Sequence, residues 1–397
     1  MPRLPSPRLA LLACAHFSVD AYSSFTSPLL PLLVAKLDLN LTRVGTLVAL
    51  SSIASSFSQP LFGWLADRLT RPWFVAFGPL LAAVFLSAVG LARDFPSLAA
   101  IVMLGGLGAG AFHPQAATLA SGLSPRRSLA LSVFVTGGTF GFALGPLLSV
   151  GVVGRFGLER TWIAALPGVL IAGFLIAWLA RFAVKPEPAR SRPALSELKP
   201  MIRPLTLLYF CVVTRSAVSF GFMTFLTLLL HQRGFSVTAG GALLTAYLAA
   251  GGCGGFLGGW LADRWGGRRV VMLSFLGATP LYFAFLALPI VPGLVCLMLG
   301  SFMVQASLPV NVVLGQELSP RHASTISSLL MGAAWGLGVL LIGPIGALAD
   351  RVGLIRALGA LACLLPLGFA LAFSLPDIRR HARAVEIAPA VVPIESA

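Results

Sequence analysis

The chain has 397 residues, of which 57% are hydrophobic and 10% charged, with a mean hydropathy of +0.92 and a net charge of +15. A soluble domain carries about 25% charged residues, so too little charge is present here to cover a water-facing surface, and a soluble globular fold is excluded. The basic excess lies in short clusters between apolar runs, without the continuous stripe that nucleic acid requires, so no nucleic-acid partner is expected.

Apolar runs of the roughly 20 residues that span a bilayer recur along the whole length. In chain order they are read as spans 9–35, 43–66, 73–92, 97–122, 128–154 and 160–182, then 205–231, 238–262, 270–289, 292–317, 324–349 and 355–375. The expected fold is an all-α membrane protein with twelve transmembrane helices in two six-helix pseudo-symmetric halves, 1–182 and 205–376. Between them, 183–204 carries Pro186, Pro188, Pro193 and Pro200 with mixed charges and reads as a polar, poorly helical cytoplasmic linker. The tail 377–397 is too short and polar for a domain and is expected to be disordered. Arg3 and Arg8 ahead of an apolar run and Ala13-Cys14-Ala15 resemble a signal peptide. The apolar character continues to about Val34, so the segment is read as a retained first span.

Twelve spans put both termini on one side, and 19 of the 28 Lys and Arg residues fall there, against 8 opposite and Arg215 inside a span. The positive-inside rule makes that side cytoplasmic, so a bacterial inner-membrane, multi-pass location is expected. The five cysteines, Cys14, Cys211, Cys253, Cys296 and Cys363, all lie in apolar segments at no metal-ligand spacing. They read as small core residues, and no disulfide, metal or cofactor is expected. The run Gly251-Gly252-Cys253-Gly254-Gly255 followed by Gly258 and Gly259 predicts very close helix contact in span 8.

One phrase occurs twice. Gly63-Trp64-Leu65-Ala66-Asp67-Arg68 after span 2 returns as Gly259-Trp260-Leu261-Ala262-Asp263-Arg264 after span 8, offset by 196 residues. Leu123 to Arg126 returns at Leu318 to Arg321, Arg155-Phe156-Gly157 at Arg351-Val352-Gly353, and Gly145-Pro146 at Gly343-Pro344. Landmarks in one order at one spacing indicate a duplicated architecture. The glycine admits a neighbouring helix, while Asp67, Arg68, Arg71, Asp263, Arg264 and Arg268 can pair across a cytoplasmic seam; the plain alternative is a charged loop that only fixes topology.

In a chain of six plus six spans, this repeated Gly-x-x-x-Asp-Arg phrase resembles the signature of the major facilitator superfamily, with Thr70 in place of the usual second glycine and Gly267 at a position usually basic. The resemblance implies that Gly63 and Gly259 with their acidic and basic partners form a gating motif. In span 5, Gly137-Gly138, Gly141 and Gly145-Pro146 are similar to the glycine-proline signature of the superfamily's proton-coupled exporters; a kinked, tightly packed helix is the other reading. His16 to Asp20, Phe112-His113-Pro114, Gly137 to Leu147 and Gln316-Glu317-Leu318 together resemble the fosmidomycin resistance proteins, drug exporters within that superfamily. Gln115 departs from them, since an acidic residue is expected after His-Pro.

Ionisable groups inside a membrane cost about 2.5–3.5 kcal/mol on insertion scales and need a reason. His16 and Asp20, four apart, share a helix face and suit proton coupling, or else a static contact holding span 1. His113 precedes Pro114, where the helix is locally open; it either lines a cavity as a third coupling group or bonds the freed carbonyl. Arg215 is expected to bind an anionic cargo group or to pair with Asp20. Gln305, Asn311 and Tyr22 are candidate cavity polar groups, and Glu317, at the end of span 10, a cytoplasmic gate.

The expected function is a proton-coupled secondary transporter exporting small drugs or metabolites, amphiphilic or anionic, by alternating access, as a monomer in the lipid bilayer. The alternative is a proton symporter that takes up a sugar or organic acid. An enzyme would need clustered catalytic groups, and no HExxH, phosphate loop or Cys/His pair is found.

Overall fold

The computed structural model describes residues 6–66, 68–69, 71–123, 127–179, 195–319 and 322–376. Regular structure among these residues is helical throughout. The order is α1 (Pro7–Phe25), α2 (Leu30–Leu37), α3 (Leu41–Ser52), α4 (Gln59–Ala66), α5 (Phe74–Ser87), α6 (Phe95–Gly122), α7 (Arg127–Phe156) and α8 (Ala165–Leu179). Next come α9 (Ile202–Gln232), α10 (Val237–Trp265), α11 (Gly267–Ala287), α12 (Ile290–Gln305) and α13 (Ser307–Leu318). The last are α14 (Ala323–Ser328), α15 (Ala334–Leu340), α16 (Ile342–Val352), α17 (Leu354–Ala362) and α18 (Leu364–Phe373).

Ten helical stretches among the described residues are long and apolar enough to cross a membrane, from Phe74–Leu91 to Leu354–Phe373. They coincide with the third to twelfth expected spans. The first two, 9–35 and 43–66, are helical but interrupted. The first breaks at Thr26, where a 3-10 turn, Ser27–Leu29, joins α1 to α2; the second passes through a π turn, Ile53–Phe57, and breaks at Ser58. Pro28 and Pro60 sit at these breaks, and neither can donate the backbone hydrogen bond that would carry an α-helix through. The expected linker also differs from a poorly helical segment: Leu195–Met201 forms a 3-10 helix, and α9 already begins at Ile202. Its first part, 183–194, and the tail 377–397 lie outside the described residues.

Helix ends follow local chemistry. Asn40 caps α3, its side chain accepting from Arg43 N at 2.9 Å, and Asp94 caps α6 in a reciprocal pair with Ser97. The duplicated Arg-x-Gly landmark is a structural repeat as well: Gly157 and Gly353 each end a helix at positive φ, 81° and 88°, a conformation favouring glycine.

Glycine rows set the closest packing. Along α7, methyl groups at Gly137, Gly141 and Gly145 would collide with the backbone of Ala13, Phe17 and Ala21, one turn apart on α1. On α10, Gly254 and Gly258 meet the backbone of Phe302 and Ala306 in the same four-residue rhythm, as the glycine run in span 8 predicted. Between early and late helices, direct ties gather at one end of the molecule. There Gly346 of α16 abuts Leu41, Gly241 of α10 abuts Val150, and Thr227 Oγ1 donates to Ser27 O at 2.9 Å. Large apolar side chains such as Phe174, Phe256 and Val291 face outward, the surface a lipid-embedded bundle presents.

Candidate functional site

His16 and Asp20, expected to share one face of α1, meet there with His113 of α6. Asp20 Oδ2 lies 3.3 Å from His16 Nε2, and Asp20 Oδ1 lies 3.1 Å from His113 Nε2. The other nitrogen of each ring is held by main chain: His16 Nδ1 donates to Phe134 O at 2.8 Å and His113 Nδ1 to Ala109 O at 2.7 Å. The carbonyl that His113 bonds is Ala109 O, one turn back from the histidine itself, and not Gly110 O, the one that Pro114 frees; the same ring also faces Asp20 across the helix pair. His16 stacks on Phe134 with ring centroids 4.1 Å apart. Gly138 leaves the space that the cluster fills, because a methyl group there would come within 2.6 Å of Asp20 Oδ2. The glycine-rich face of α7 thus roofs the ionisable centre. Nitrogen and oxygen atoms of the three residues lie within 4.8 Å of one another.

A second polar centre lies on α9. Arg215 is only 2% exposed and is the largest fully buried side chain among the described residues. The expected alternative, pairing with Asp20, is not seen: Nη1 donates to Gln305 Oε1 at 2.8 Å and Nη2 to Ser216 Oγ at 2.9 Å, which are nearer neutral acceptors. Its Nε has no hydrogen-bond partner, and its guanidinium lies 5.1 Å from the Trp335 ring centroid. Among the described residues this buried cation faces neutral groups only. Phe220 contacts Trp335 on one side and Phe142 of α7 on the other, so an aromatic wall runs from early to late helices beside it.

Other candidates take different places. Gln305 belongs to the Arg215 centre, and Ser219 Oγ donates to it at 3.5 Å. Asn311 is fully buried with neither amide atom bonded, away from both centres' bonds. Tyr22 departs from its expected cavity role. Its hydroxyl donates to Ala164 O at 2.5 Å and accepts from Gly168 N at 3.2 Å, tying α1 to α8, and the ring is buried. Glu317 lines a small cavity with Gly259, Asp263 and Pro309, which joins it to the second copy of the repeated phrase.

The two copies of that phrase share geometry. Arg68 lies over the Trp64 ring at 3.5 Å and Arg264 over Trp260 at 3.6 Å. Gly63 faces Pro114 and Gly259 faces Pro309, where an added methyl group would sit 3.8 and 3.9 Å away. That is ordinary contact, so neither glycine is required for close approach, contrary to expectation. Asp67 lies outside the described residues, while Arg71 approaches Trp73 and Arg268 donates to Phe373 O. A third copy was missed. Gly346-Ala347-Leu348-Ala349-Asp350-Arg351-Val352-Gly353 repeats the pattern at the other end of the molecule, and matching the phrase against the whole chain would have found it. Asp350 accepts from Leu41 N and Thr42 N, both at 2.8 Å, and from Thr42 Oγ1 at 2.5 Å, binding the free N-terminus of α3.

Known proteins resemble the chain over nearly its full length. The uncharacterized MFS-type transporter YfnC of Bacillus subtilis (strain 168) is 30% identical over 387 residues, 94% of this chain and 93% of that one. The fosmidomycin resistance protein of Escherichia coli (strain K12) is 27% identical over 385 residues, with the same coverage of each, in keeping with the resemblance read from His16 to Asp20 and Phe112 to Pro114. A bacterial homolog of the human lysosomal transporter Spinster, solved in an inward-facing and unoccupied conformation, shares the fold with a TM-score of 0.78 at 18% identity, covering 98% of this chain and 100% of that one. The model of the Major Facilitator Superfamily matches residues 12–343, so the chain, a multi-pass helical membrane protein, belongs to that superfamily of transporters.

Proposed function

We propose that the protein is a proton-coupled secondary transporter that exports small anionic compounds from the bacterial cytoplasm. Two six-helix halves, 1–182 and 205–376, rock about a central site in the inner membrane, with both termini cytoplasmic. The chain works as a monomer. The observation that carries this reading is the division of labour between two buried centres: a His–Asp–His cluster on α1 and α6, and a buried arginine without an acidic partner on α9. A group that gains and loses protons inside a membrane suits coupling, and an uncompensated cation there suits an anion. Phe142, Phe220 and Trp335 offer apolar contact to the body of such a cargo. A relative named for fosmidomycin resistance supports export of a phosphonate-bearing drug. In the gating motif, Asp67, Arg68 and Arg71 together with Asp263, Arg264, Arg268 and Glu317 steady the cytoplasmic seam, and Gly141, Gly145 and Pro146 hold α7 against α1.

The test uses inside-out membrane vesicles with an acid interior, given phosphonates, carboxylates and cationic drugs in turn. Dissipation of the pH gradient by phosphonates or carboxylates, absent in vesicles without the protein, is the expected result. Dissipation by cationic drugs alone would overturn the anion assignment, and uptake of a sugar or organic acid with protons in right-side-out vesicles would overturn the direction.

A further inference from the structure

We propose that the His16–Asp20–His113 centre stores two exchangeable protons, one in each imidazole–carboxylate contact, and hence that two protons move per cargo molecule. The stoichiometry rests on the proton-coupled reading above; the proton inventory rests on hydrogen-bond geometry alone. Phe134 O and Ala109 O are carbonyl oxygens and can only accept, so His16 Nδ1 and His113 Nδ1 must both carry hydrogen. A neutral imidazole protonated at Nδ1 presents a lone pair at Nε2. Both Nε2 atoms face carboxylate oxygens of Asp20, which also present lone pairs.

Two lone pairs at 3.3 Å and 3.1 Å repel unless hydrogen lies between them. Each contact therefore needs its own proton, beyond the two held at Nδ1. With both in place the centre is two imidazoliums on one carboxylate, net charge +1. Loss of one leaves a neutral centre and breaks one contact. Loss of both leaves a buried carboxylate facing two lone pairs, the arrangement most costly in a low dielectric and the one that recaptures protons most strongly. Each proton passes from an Nε2–H to water, from His16 by way of the Asp20 carboxylate, and is replaced from the opposite side of the membrane in the other half of the cycle.

Exposure orders the exchange. The His113 side chain is 28% exposed, Asp20 19% and His16 9%. His113 meets water first, and His16 exchanges through the shared carboxylate. Little else perturbs the count. The helices packed on α1 are α5, α6, α7 and α8, and α6 packs also on α3 and α4; together they bring no further ionisable side chain except Arg127 and Arg155 at the two ends of α7 and Arg43 in the first turn of α3. On α1 itself the others are Arg8, Cys14 and Tyr22, and the Tyr22 hydroxyl is committed to Ala164 and Gly168. Gly138 closes the remaining side.

Two measurements test the count. Nitrogen-15 NMR of histidine-labelled protein reads both rings directly across a pH titration, with H16Q and H113Q variants assigning them. The expected result is hydrogen retained on Nδ1 of both rings throughout, with titration at Nε2 only; an Nε2–H neutral tautomer in either ring would overturn the inventory whether or not transport is observed. In proteoliposomes with the membrane potential clamped at zero, one proton crossing one pH unit balances about a tenfold cargo gradient and two protons about 100-fold. Wild type is expected to balance near 100-fold and H113Q, which keeps a hydrogen-bonding side chain beside Asp20, near tenfold. A tenfold balance in wild type would refute two-proton coupling while leaving proton-coupled transport intact. A cargo gradient indifferent to pH would refute the transport reading itself.

Discussion

Replacing Asp350 with alanine should loosen the end of the molecule where early and late helices meet. The carboxylate caps α3 from α16, taking the backbone hydrogens of Leu41 and Thr42 and the Thr42 hydroxyl, while Asn40 takes that of Arg43. A buried charged hydrogen bond contributes about 1.5–3 kcal/mol, but Asp350 is exposed, so water competes and those values overstate it. Losing a helix cap costs about 1 kcal/mol and an anion at a helix N-terminus adds about 0.3–1 kcal/mol. Together they give about 1–2 kcal/mol, or a roughly 5–30-fold shift toward states in which α3 and α16 part. Spin labels at the exposed positions Arg43 and Arg351, in protein whose five cysteines are replaced by alanine, report that separation by pulsed electron resonance. The long-distance population should rise by that factor in D350A and by less in D350N, whose amide oxygen still accepts. An unchanged distance distribution in D350A would show that the cap does not hold this end together.

Asp20→Asn should bring pH-gradient-driven transport to background with normal expression and thermal stability; retained coupling in this variant would remove Asp20 from the centre. Arg215→Gln should weaken anionic cargo by about 10–100-fold, the cost of one or two charged hydrogen bonds, with little change for neutral compounds, and equal losses for both in a direct binding titration would count against a cargo role. Gly141→Ala should destabilise by about 3 kcal/mol or more, because its methyl group would press within 2.7 Å of the Phe17 backbone, which cannot move aside like a side chain. Gly63→Ala should instead be tolerated or stabilising by up to about 1 kcal/mol, since its methyl group finds ordinary contact with Pro114 and alanine favours the helix. Thermal unfolding in detergent separates the last two, and similar midpoints would contradict the packing account.

Periodicity and spacing carry some of this molecule plainly and some of it not at all. The membrane class follows from charge too sparse to cover a surface, and the duplication from Gly63 to Arg68 recurring at Gly259 to Arg264; the stacked Trp64–Arg68 and Trp260–Arg264 pairs then repeat it in space. The breaks at Thr26 and Ser58 were less legible, because a proline inside an apolar run kinks some membrane helices and interrupts others, depending on what neighbours satisfy the freed groups. His16 and Asp20 could be paired from their spacing of four. Nothing local tells that His113, 93 residues away, completes the cluster. The Arg215–Asp20 pairing failed for the same reason in reverse: opposite charges suggest a bond, but Gln305 and Ser216 are the acceptors that packing brings within reach. Asp350 is legible in the sequence, because Gly346 to Arg351 repeats the Gly63 to Arg68 phrase more fully than Arg351-Val352-Gly353 repeats Arg155-Phe156-Gly157.

The central claim, that protons held on α1 and α6 drive an anion held on α9, is tested most directly with purified protein in proteoliposomes. An imposed pH gradient is the sole driving force, and labelled fosmidomycin is the cargo. The account predicts accumulation in the acidic compartment by wild type, lost with Asp20→Asn and strongly weakened with Arg215→Gln. Accumulation that persists without a pH gradient, or survives both substitutions, would contradict it.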